Sequence, residues 1–100
     1  MAMALTHTLF SPGEQLQQIG ANARELRLAQ NLTRKTLAER AGVSDSTIKR
    51  FETTGQISLD ALMLLASALG VAHQVAGLFQ HAHPVSLDEL KKTGRRRGRK

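Results

Sequence analysis

The stretch from Arg34 to Thr53, RKTLAERAGVSDSTIKRFET, decides the fold of this chain. Gly42 stands where a first short helix has to end, and the left-handed position after a helix favours glycine because glycine has no Cβ. Ile48 and Phe51 are spaced to point to the same side of a second helix, which leaves their polar neighbours outside. The small side chain of Ala38 lets the two helices approach closely. The stretch therefore predicts two helices joined by a tight turn, a helix-turn-helix.

The composition of the 100-residue chain limits the fold to one small domain. Its residues are 41% hydrophobic but only 3% aromatic, so the core has to be built from aliphatic side chains, as in a small helical bundle. The chain has no cysteine, which excludes disulfides and thiolate metal sites and fits a reducing cytoplasm. No apolar run reaches the length of a membrane span, and the first ten residues lack the basic region of a signal peptide.

Capping residues and apolar spacing predict five helices and no strand, an all-α fold. Ser11, Thr33, Ser44 and Ser58 are suited to be N-caps, and Glu14 completes a capping box with Ser11. The predicted helices cover residues 12–30, 34–41, 45–52, 59–69 and 71–79, with a loop at 53–56.

The apolar residues of these helices recur on one face each, and this face is expected to be buried. For the arginines at 24, 27 and 40 we expect a solvated helix face. The residues expected to face the core are Leu16, Ile19, Ala23, Leu26, Leu37, Ala38, Ala41, Ile48, Phe51, Leu59, Leu62, Leu65, Ala66 and Leu69.

The positive charge of the chain is concentrated at its end. The net charge is +6, but seven of the fourteen basic residues lie after residue 90, and the rest of the chain holds seven basic and eight acidic residues. We predict a flexible arm at residues 1–10, a helix-turn-helix domain at 11–80 and a C-terminal extension at 81–100. The extension is expected to contain a short helix near 87–92 and a disordered basic tail from Gly94, GRRRGRK.

The motif residues resemble those of the Xre/Cro/C1 family of helix-turn-helix transcriptional regulators. The resemblance covers about residues 16–79 and rests on Leu37-Ala38, Ala41-Gly42-Val43-Ser44, Ser46-Thr47-Ile48 and Arg50-Phe51-Glu52. It implies a compact, five-helix, lambda-repressor-like fold that places the second motif helix in the major groove of DNA. The chain departs from the family pattern at Arg34, where Gln is usual, and at Asp45, where Arg or Lys is frequent.

Carried over position by position, the resemblance implies which side chains meet double-stranded DNA. Arg50 has the geometry to bind guanine O6 and N7 with two hydrogen bonds. For Asp45 two interpretations remain open: an acceptor for cytosine N4, or a residue that only favours the helix dipole. The candidates for base contacts are Asp45, Ser46, Thr47, Lys49 and Arg50. The candidates for phosphate contacts are Thr33, Arg34, Lys35, Ser44 and Thr54.

Two further surfaces are candidates for partners. Val71, Val75, Leu78 and Phe79 form an apolar set that fits a homodimer interface, although the fifth helix could equally close the core of the monomer. The tail residues Arg95, Arg96, Arg97, Arg99 and Lys100 could grip DNA, bind an acidic protein or only increase solubility.

The sequence predicts a cytoplasmic regulator, nucleoid-associated when bound to DNA, and a dimeric repressor on a palindromic operator. One alternative is a HipB-like antitoxin that represses its own operon and binds a toxin, such as a HipA-like kinase. Another is a non-specific nucleoid-type binder that relies on the tail. We expect no enzyme and no cofactor, because no phosphate loop, activated nucleophile or carboxylate pair is present. His81 and His83 alone do not make a metal site.

Overall fold

A computed structural model of the chain describes residues 10–81, and these residues form five α-helices and no strand. The all-α prediction is thereby confirmed for the fold. The helices are α1 (Pro12–Ala29), α2 (Arg34–Ala41), α3 (Asp45–Thr54), α4 (Leu59–Ala68) and α5 (Ala72–Ala76).

The first four helices begin at the predicted N-caps. The Ser11 hydroxyl accepts from the backbone N–H of Glu14 at 3.2 Å, and the Glu14 carboxylate accepts from the Ser11 N–H at 2.9 Å, which completes the capping box. Thr33, Ser44 and Ser58 each accept from the N–H three residues further on, at 3.0, 3.0 and 3.2 Å. These local hydrogen bonds fix the start of each helix because they satisfy donors that have no partner within it.

Left-handed residues follow the first two helices, and the one after α2, Gly42, is predicted by the sequence. Asn31 has a φ of 59° after α1, and Gly42 has a φ of 77° after α2. Asparagine and glycine tolerate this conformation better than other residues. The chain therefore turns sharply twice between the end of α1 at Ala29 and the start of α3 at Asp45.

The core lies between the two motif helices and the helices on either side of them. Leu37, Ile48 and Phe51 are the largest side chains that are almost fully buried. Here α1 packs against α3, α2 against α3 and α4, and α4 against α5. The other buried apolar residues are Leu32, Ala38, Ala41, Leu65, Ala66 and Leu69. The inward orientation predicted for both motif helices is confirmed.

The predicted inward face of α1 is partly wrong. Leu16 and Ile19 remain 43% and 48% exposed, whereas Gly20 and Arg27 are buried. A Cβ at Gly20 would collide with the backbone carbonyl of Phe51, so α1 lies very close to α3 at this glycine. The buried face of α1 is centred on residues that a search for large apolar side chains does not detect.

The ends of α3 and α5 and the exposure of one residue of α4 also differ from the prediction. Helix α3 continues to Thr54, so Thr53 and Thr54 are helical and the loop begins only at Gly55. Leu59 is expected inside but is 68% exposed, because the packed residues of α4 follow later, from Leu62 onward. Helix α5 covers only Ala72–Ala76 and is followed by turns through Gln80.

Residues 1–9 of the predicted arm, the short helix near 87–92 and the basic tail lie outside the described residues. Among residues 10–81, no helix is both long and apolar enough to cross a membrane.

Candidate nucleic-acid interface

The turn between α2 and α3 determines which side of α3 faces outward. The backbone N–H groups of Gly42 and Val43 both donate to the Ala38 carbonyl, at 2.9 and 3.2 Å, and so close the end of α2. Five residues after Val43, Ile48 is fully buried, with 0% of its surface exposed, and Phe51 is 2% exposed. Since these two side chains anchor one face of α3 in the core, the opposite face is available to a ligand.

The outer face of α3 carries every residue that the sequence suggests for base contacts. Asp45, Ser46, Lys49 and Arg50 are exposed, and Thr47 is half-buried. Thr47 and Arg50 lie one helical turn apart, so their side chains are neighbours. The structure thus brings the five candidates to one surface, which is the arrangement that base reading in a groove requires.

Three hydroxyl groups form a cluster at the start of α3. The Oγ of Ser44 lies 2.7 Å from Oγ1 of Thr47 and 3.2 Å from Oγ of Ser46. The same Ser44 oxygen accepts from the Thr47 N–H at 3.0 Å. Ser44 is therefore engaged in capping, and the hydroxyl hydrogens within the cluster can be redirected toward an acceptor by rotation alone.

At the other end of α3, Arg50 is paired with a residue of the following loop. Its Nη2 atom donates to Oε1 of Gln56 at 2.6 Å. Arg50, Thr47 and Gln56 line an open cleft of about 400 Å³ together with Ile57, Ser58 and Ala61. The sequence predicts only that Gln56 lies in a loop after the second motif helix; its contact with Arg50 depends on the path of that loop.

Two of the candidate phosphate-binding hydroxyls already donate within the protein. Thr33 Oγ1 donates to Thr36 Oγ1 at 3.0 Å, and Thr54 Oγ1 donates to the Arg50 carbonyl at 2.8 Å. A hydroxyl has one hydrogen, so either residue would have to exchange this bond for one to a phosphate. Lys35 is exposed and forms no ion pair among the described residues, which leaves its ammonium group available.

Arg34 is tied into a buried network of charges. Its Nε atom donates to Oε1 of Glu52 at 3.0 Å, while Arg27 donates from Nε to Oε2 of the same carboxylate at 2.7 Å and from Nη2 to Oε1 at 3.1 Å. Arg27 also donates from Nη1 to the Leu32 carbonyl at 2.7 Å. The Nη atoms of Arg34 make no hydrogen bond within residues 10–81, so they can still reach a phosphate beside the start of α2.

The expectation that Arg27 is a solvated surface residue is wrong, since its side chain is only 6% exposed. Arg27 follows Gly20 and Ala23 by seven and four residues, which turns it toward the same side of α1. Glu52 follows Ile48 by four residues and faces inward for the same reason. Opposite charges on two inward-facing stripes are the signal from which this pair could have been found.

The pKa of Glu52 is lowered from its ordinary value of 4.5. Burial of the carboxylate acts to raise this pKa, but the hydrogen bonds and positive charges of Arg27 and Arg34 together outweigh it. Glu52 is therefore ionised at neutral pH, and the cluster of two guanidinium groups and one carboxylate carries a net positive charge close to α2.

The residues suggested for dimerisation lie in α5 and directly beside it. Val71 and Val75 are half-buried, Leu78 is 55% exposed and Phe79 is fully exposed at 103%. Except for Phe79, these residues line an apolar groove of about 330 Å³, which continues to Ile19 on α1. Within residues 10–81 there is no group of three or more metal-binding side chains.

A helical domain that buries one face of its second motif helix and presents a polar, cationic opposite face has the architecture of a DNA-binding domain. Comparison with known families gives a match to the helix-turn-helix family over residues 24–75. The chain therefore belongs to this family, of the Xre/Cro/C1 type, and is a DNA-binding transcriptional regulator. Members of the family are typically not enzymes. No individual curated protein matches the chain.

Proposed function

We propose that this protein is a sequence-specific repressor that binds a palindromic operator as a homodimer. The observation that carries the proposal is the exposed outer face of α3, where Arg50, Lys49 and Ser46 stand opposite the buried Ile48 and Phe51. One such face reads only a few base pairs. Two copies related by a two-fold axis would read two half-sites about 34 Å apart.

In this proposal the side chains on the outer face of α3 contact the bases, and most of the phosphate contacts come from residues around this face. Arg50 binds a guanine through two parallel hydrogen bonds, and Lys49 reaches guanine or a phosphate. Ser46 and Thr47 donate to or accept from base edges, and Asp45 accepts from cytosine or disfavours indiscriminate phosphate contact. Phosphates are bound by Lys35, by the free Nη atoms of Arg34, and by the hydroxyls of Thr33, Ser44 and Thr54 when these exchange their internal hydrogen bonds.

The groove beside α5 supports the dimer. It is apolar and open, and the exposed Leu78 and Phe79 stand next to it. An exposed apolar patch of this kind in a small domain is typical of an interaction surface. We propose residues 11–80 as the DNA-binding and dimerising domain, with residues 1–10 as an arm and residues 81–100 as an extension.

Selection of bound DNA from a random pool tests the proposal. An inverted repeat among the selected sequences supports both sequence specificity and two-fold symmetry. Recovery of no common sequence contradicts the proposal and favours a non-specific nucleoid-type binder. Repeating the selection without residues 94–100 tests the tail, whose loss is expected to flatten the salt dependence of the affinity if Arg95–Arg97, Arg99 and Lys100 bind phosphates.

A second apolar surface favours an antitoxin as the alternative function. Leu59 and Leu64 are 68% and 48% exposed and line an open cleft with Met63 and Val75. This cleft is separate from the outer face of α3, so a protein partner such as a toxin of the HipA-like kinase type could bind there together with DNA. Co-expression with the product of a neighbouring reading frame tests this alternative. A stable complex that is weakened by Leu59→Ser and Leu64→Ser supports the antitoxin function. Absence of such a complex contradicts it.

A further inference from the structure

The end of α3 and the loop that follows it form a closed chain of hydrogen bonds around Arg50. The Thr54 hydroxyl donates to the Arg50 carbonyl at 2.8 Å, and the same oxygen accepts from the backbone N–H of Gln56 at 3.1 Å. The side chain of Gln56 closes this series of hydrogen bonds, because its Oε1 accepts from Nη2 of Arg50 at 2.6 Å. The loop is thereby connected to Arg50 at both its backbone and its guanidinium group.

The conformation of Gly55 turns the loop so that Gln56 can reach Arg50. Its φ of 81° reverses the backbone, and its N–H donates to the Phe51 carbonyl at 2.8 Å. A Cβ at this position would collide with the backbone of Leu16 on α1. The loop is therefore fixed against α1 as well as against α3, and Gln56 occupies a defined place beside the outer face of α3.

The geometry of a guanidinium group gives this contact a consequence for base reading. Arginine can make two parallel hydrogen bonds through the edge formed by Nη1 and Nη2, or through the edge formed by Nε and Nη2. Both edges include Nη2, which has two hydrogens. Since Gln56 accepts one of them, one edge of Arg50 is occupied within the protein and the other edge is left for a base.

We infer that Gln56 is a specificity-determining residue of this regulator, which positions the guanidinium of Arg50 so that a single edge is presented to the DNA. The inference rests on the proposed role of Arg50 as a base reader. Gln56 itself need not touch the base, and Thr54 supports it by holding the Gln56 backbone. The part of the chain that selects the operator thus extends beyond α3 into the loop.

The test begins with the site that the wild-type protein selects from a random DNA pool. The base pair that Arg50 reads is identified as the one at which Arg50→Ala loses discrimination between bases. Dissociation constants for the selected site, its single-base variants and a scrambled duplex are then compared at one fixed salt concentration, because affinity for DNA depends steeply on salt.

Gln56→Leu removes the acceptor while keeping the approximate size of the side chain. We expect it to lower discrimination at the base pair read by Arg50 by roughly tenfold, within the range that a good bidentate contact provides. Discrimination at other positions should remain. Gln56→Glu keeps an oxygen acceptor and should retain discrimination at this base pair, even though its charge lowers the affinity for all DNA. Gln15→Leu, the same change at an exposed glutamine of α1, should alter neither the discrimination at this base pair nor the affinity for DNA.

Three results overturn the inference while leaving the proposed function intact. The first is wild-type discrimination in Gln56→Leu. The second is an equal loss of affinity for selected and scrambled DNA, which indicates a phosphate contact. The third is a loss of discrimination that persists in the Arg50→Ala background, which means that Gln56 reads the base itself. If the wild-type protein selects no site, or Arg50→Ala relaxes no position, the proposed base reading fails and the inference fails with it.

Discussion

Arg27 on α1 and Glu52 on α3 form an ion pair in the interior of the domain, with Nε and Oε2 2.7 Å apart and the two side chains only 6% and 2% exposed. The pair joins the helix that precedes the motif to the helix that reads DNA. Arg34 adds a second guanidinium at 3.0 Å from the same carboxylate, and no buried side-chain polar atom among the described residues lacks a hydrogen-bond partner. The network orients α3 against the rest of the domain.

Removal of one member of the buried pair should destabilise the domain strongly. We expect Arg27→Met to lower the free energy of unfolding by about 3 to 5 kcal/mol, because it leaves the buried Glu52 carboxylate undercompensated. The double variant Arg27→Met, Glu52→Leu should recover most of this loss, since no buried charge then remains without its partner. Urea unfolding measures both values. A loss in the double variant equal to the sum of the losses measured for Arg27→Met and for Glu52→Leu alone contradicts a coupled pair.

The same network should make stability depend on pH below neutrality. The pKa of Glu52 is lower in the folded protein than its ordinary value of 4.5, so its contribution to stability is fully present above that value. It is lost as the pH falls through 4.5 and on through the lowered pKa. Melting temperatures should therefore be constant near neutral pH and fall on acidification. Other carboxylates also titrate in this range. The part due to Glu52 is therefore the difference in pH dependence of the melting temperature between the wild-type protein and Glu52→Gln. Equal dependence of the melting temperature on pH in both proteins contradicts a contribution from Glu52.

Much of this fold could be predicted because its boundaries depend on local chemistry. Ser11, Thr33, Ser44 and Ser58 cap helices through hydrogen bonds to groups three residues away, and such bonds need no knowledge of the rest of the chain. Gly42 likewise ends α2 by its own conformational freedom. The outer face of α3 followed from the apolar residues of its inner face.

The missed features depend on partners that are distant in sequence. Arg27 can be buried because Glu52, 25 residues later, supplies the opposite charge. Gly20 is buried because the Phe51 backbone lies against it, and Leu59 is exposed because the packing of α4 begins later in the helix. The contact of Gln56 with Arg50 similarly requires the left-handed turn at Gly55. Periodicity identifies a face, but it does not identify what covers that face.

The close approach of α1 to α3 predicts an unusual response to alanine at Gly20. Alanine normally stabilises the interior of a helix by about 1 kcal/mol relative to glycine. At Gly20 the added Cβ would collide with the Phe51 carbonyl, so we expect Gly20→Ala to destabilise the domain by about 1 to 3 kcal/mol. Gly13→Ala is the matched control, because its Cβ would meet only the Ser11 hydroxyl at an ordinary 3.9 Å. Thermal unfolding compares the two, and equal melting temperatures would contradict the close approach.

The two basic residues at the start of α2 should behave differently when truncated. Lys35→Ala is expected to weaken binding to selected and scrambled DNA alike, to reduce the salt slope by about one unit and to leave stability unchanged. Arg34→Ala should have the same effect on DNA and in addition lower the melting temperature, because Arg34 is paired with Glu52. Salt titrations of binding together with thermal unfolding separate the two effects. A Lys35→Ala protein with a wild-type salt slope contradicts the phosphate contact.

The exposed residues beside the groove should control self-association without affecting the monomer. Phe79 is fully exposed and has a φ of 63°, a conformation rare for a bulky residue, so the isolated domain gains little from its side chain. If two copies bury it, Phe79→Ser should raise the dimer dissociation constant by at least roughly tenfold, since burial of a phenylalanine contributes about 1.5 to 3 kcal/mol. Leu59→Ser is the control, because Leu59 is also exposed and apolar but neither lines this groove nor adjoins one of its residues in sequence, as Phe79 adjoins Leu78. Sedimentation equilibrium measures the constants, and an equal effect of both substitutions places the interface elsewhere.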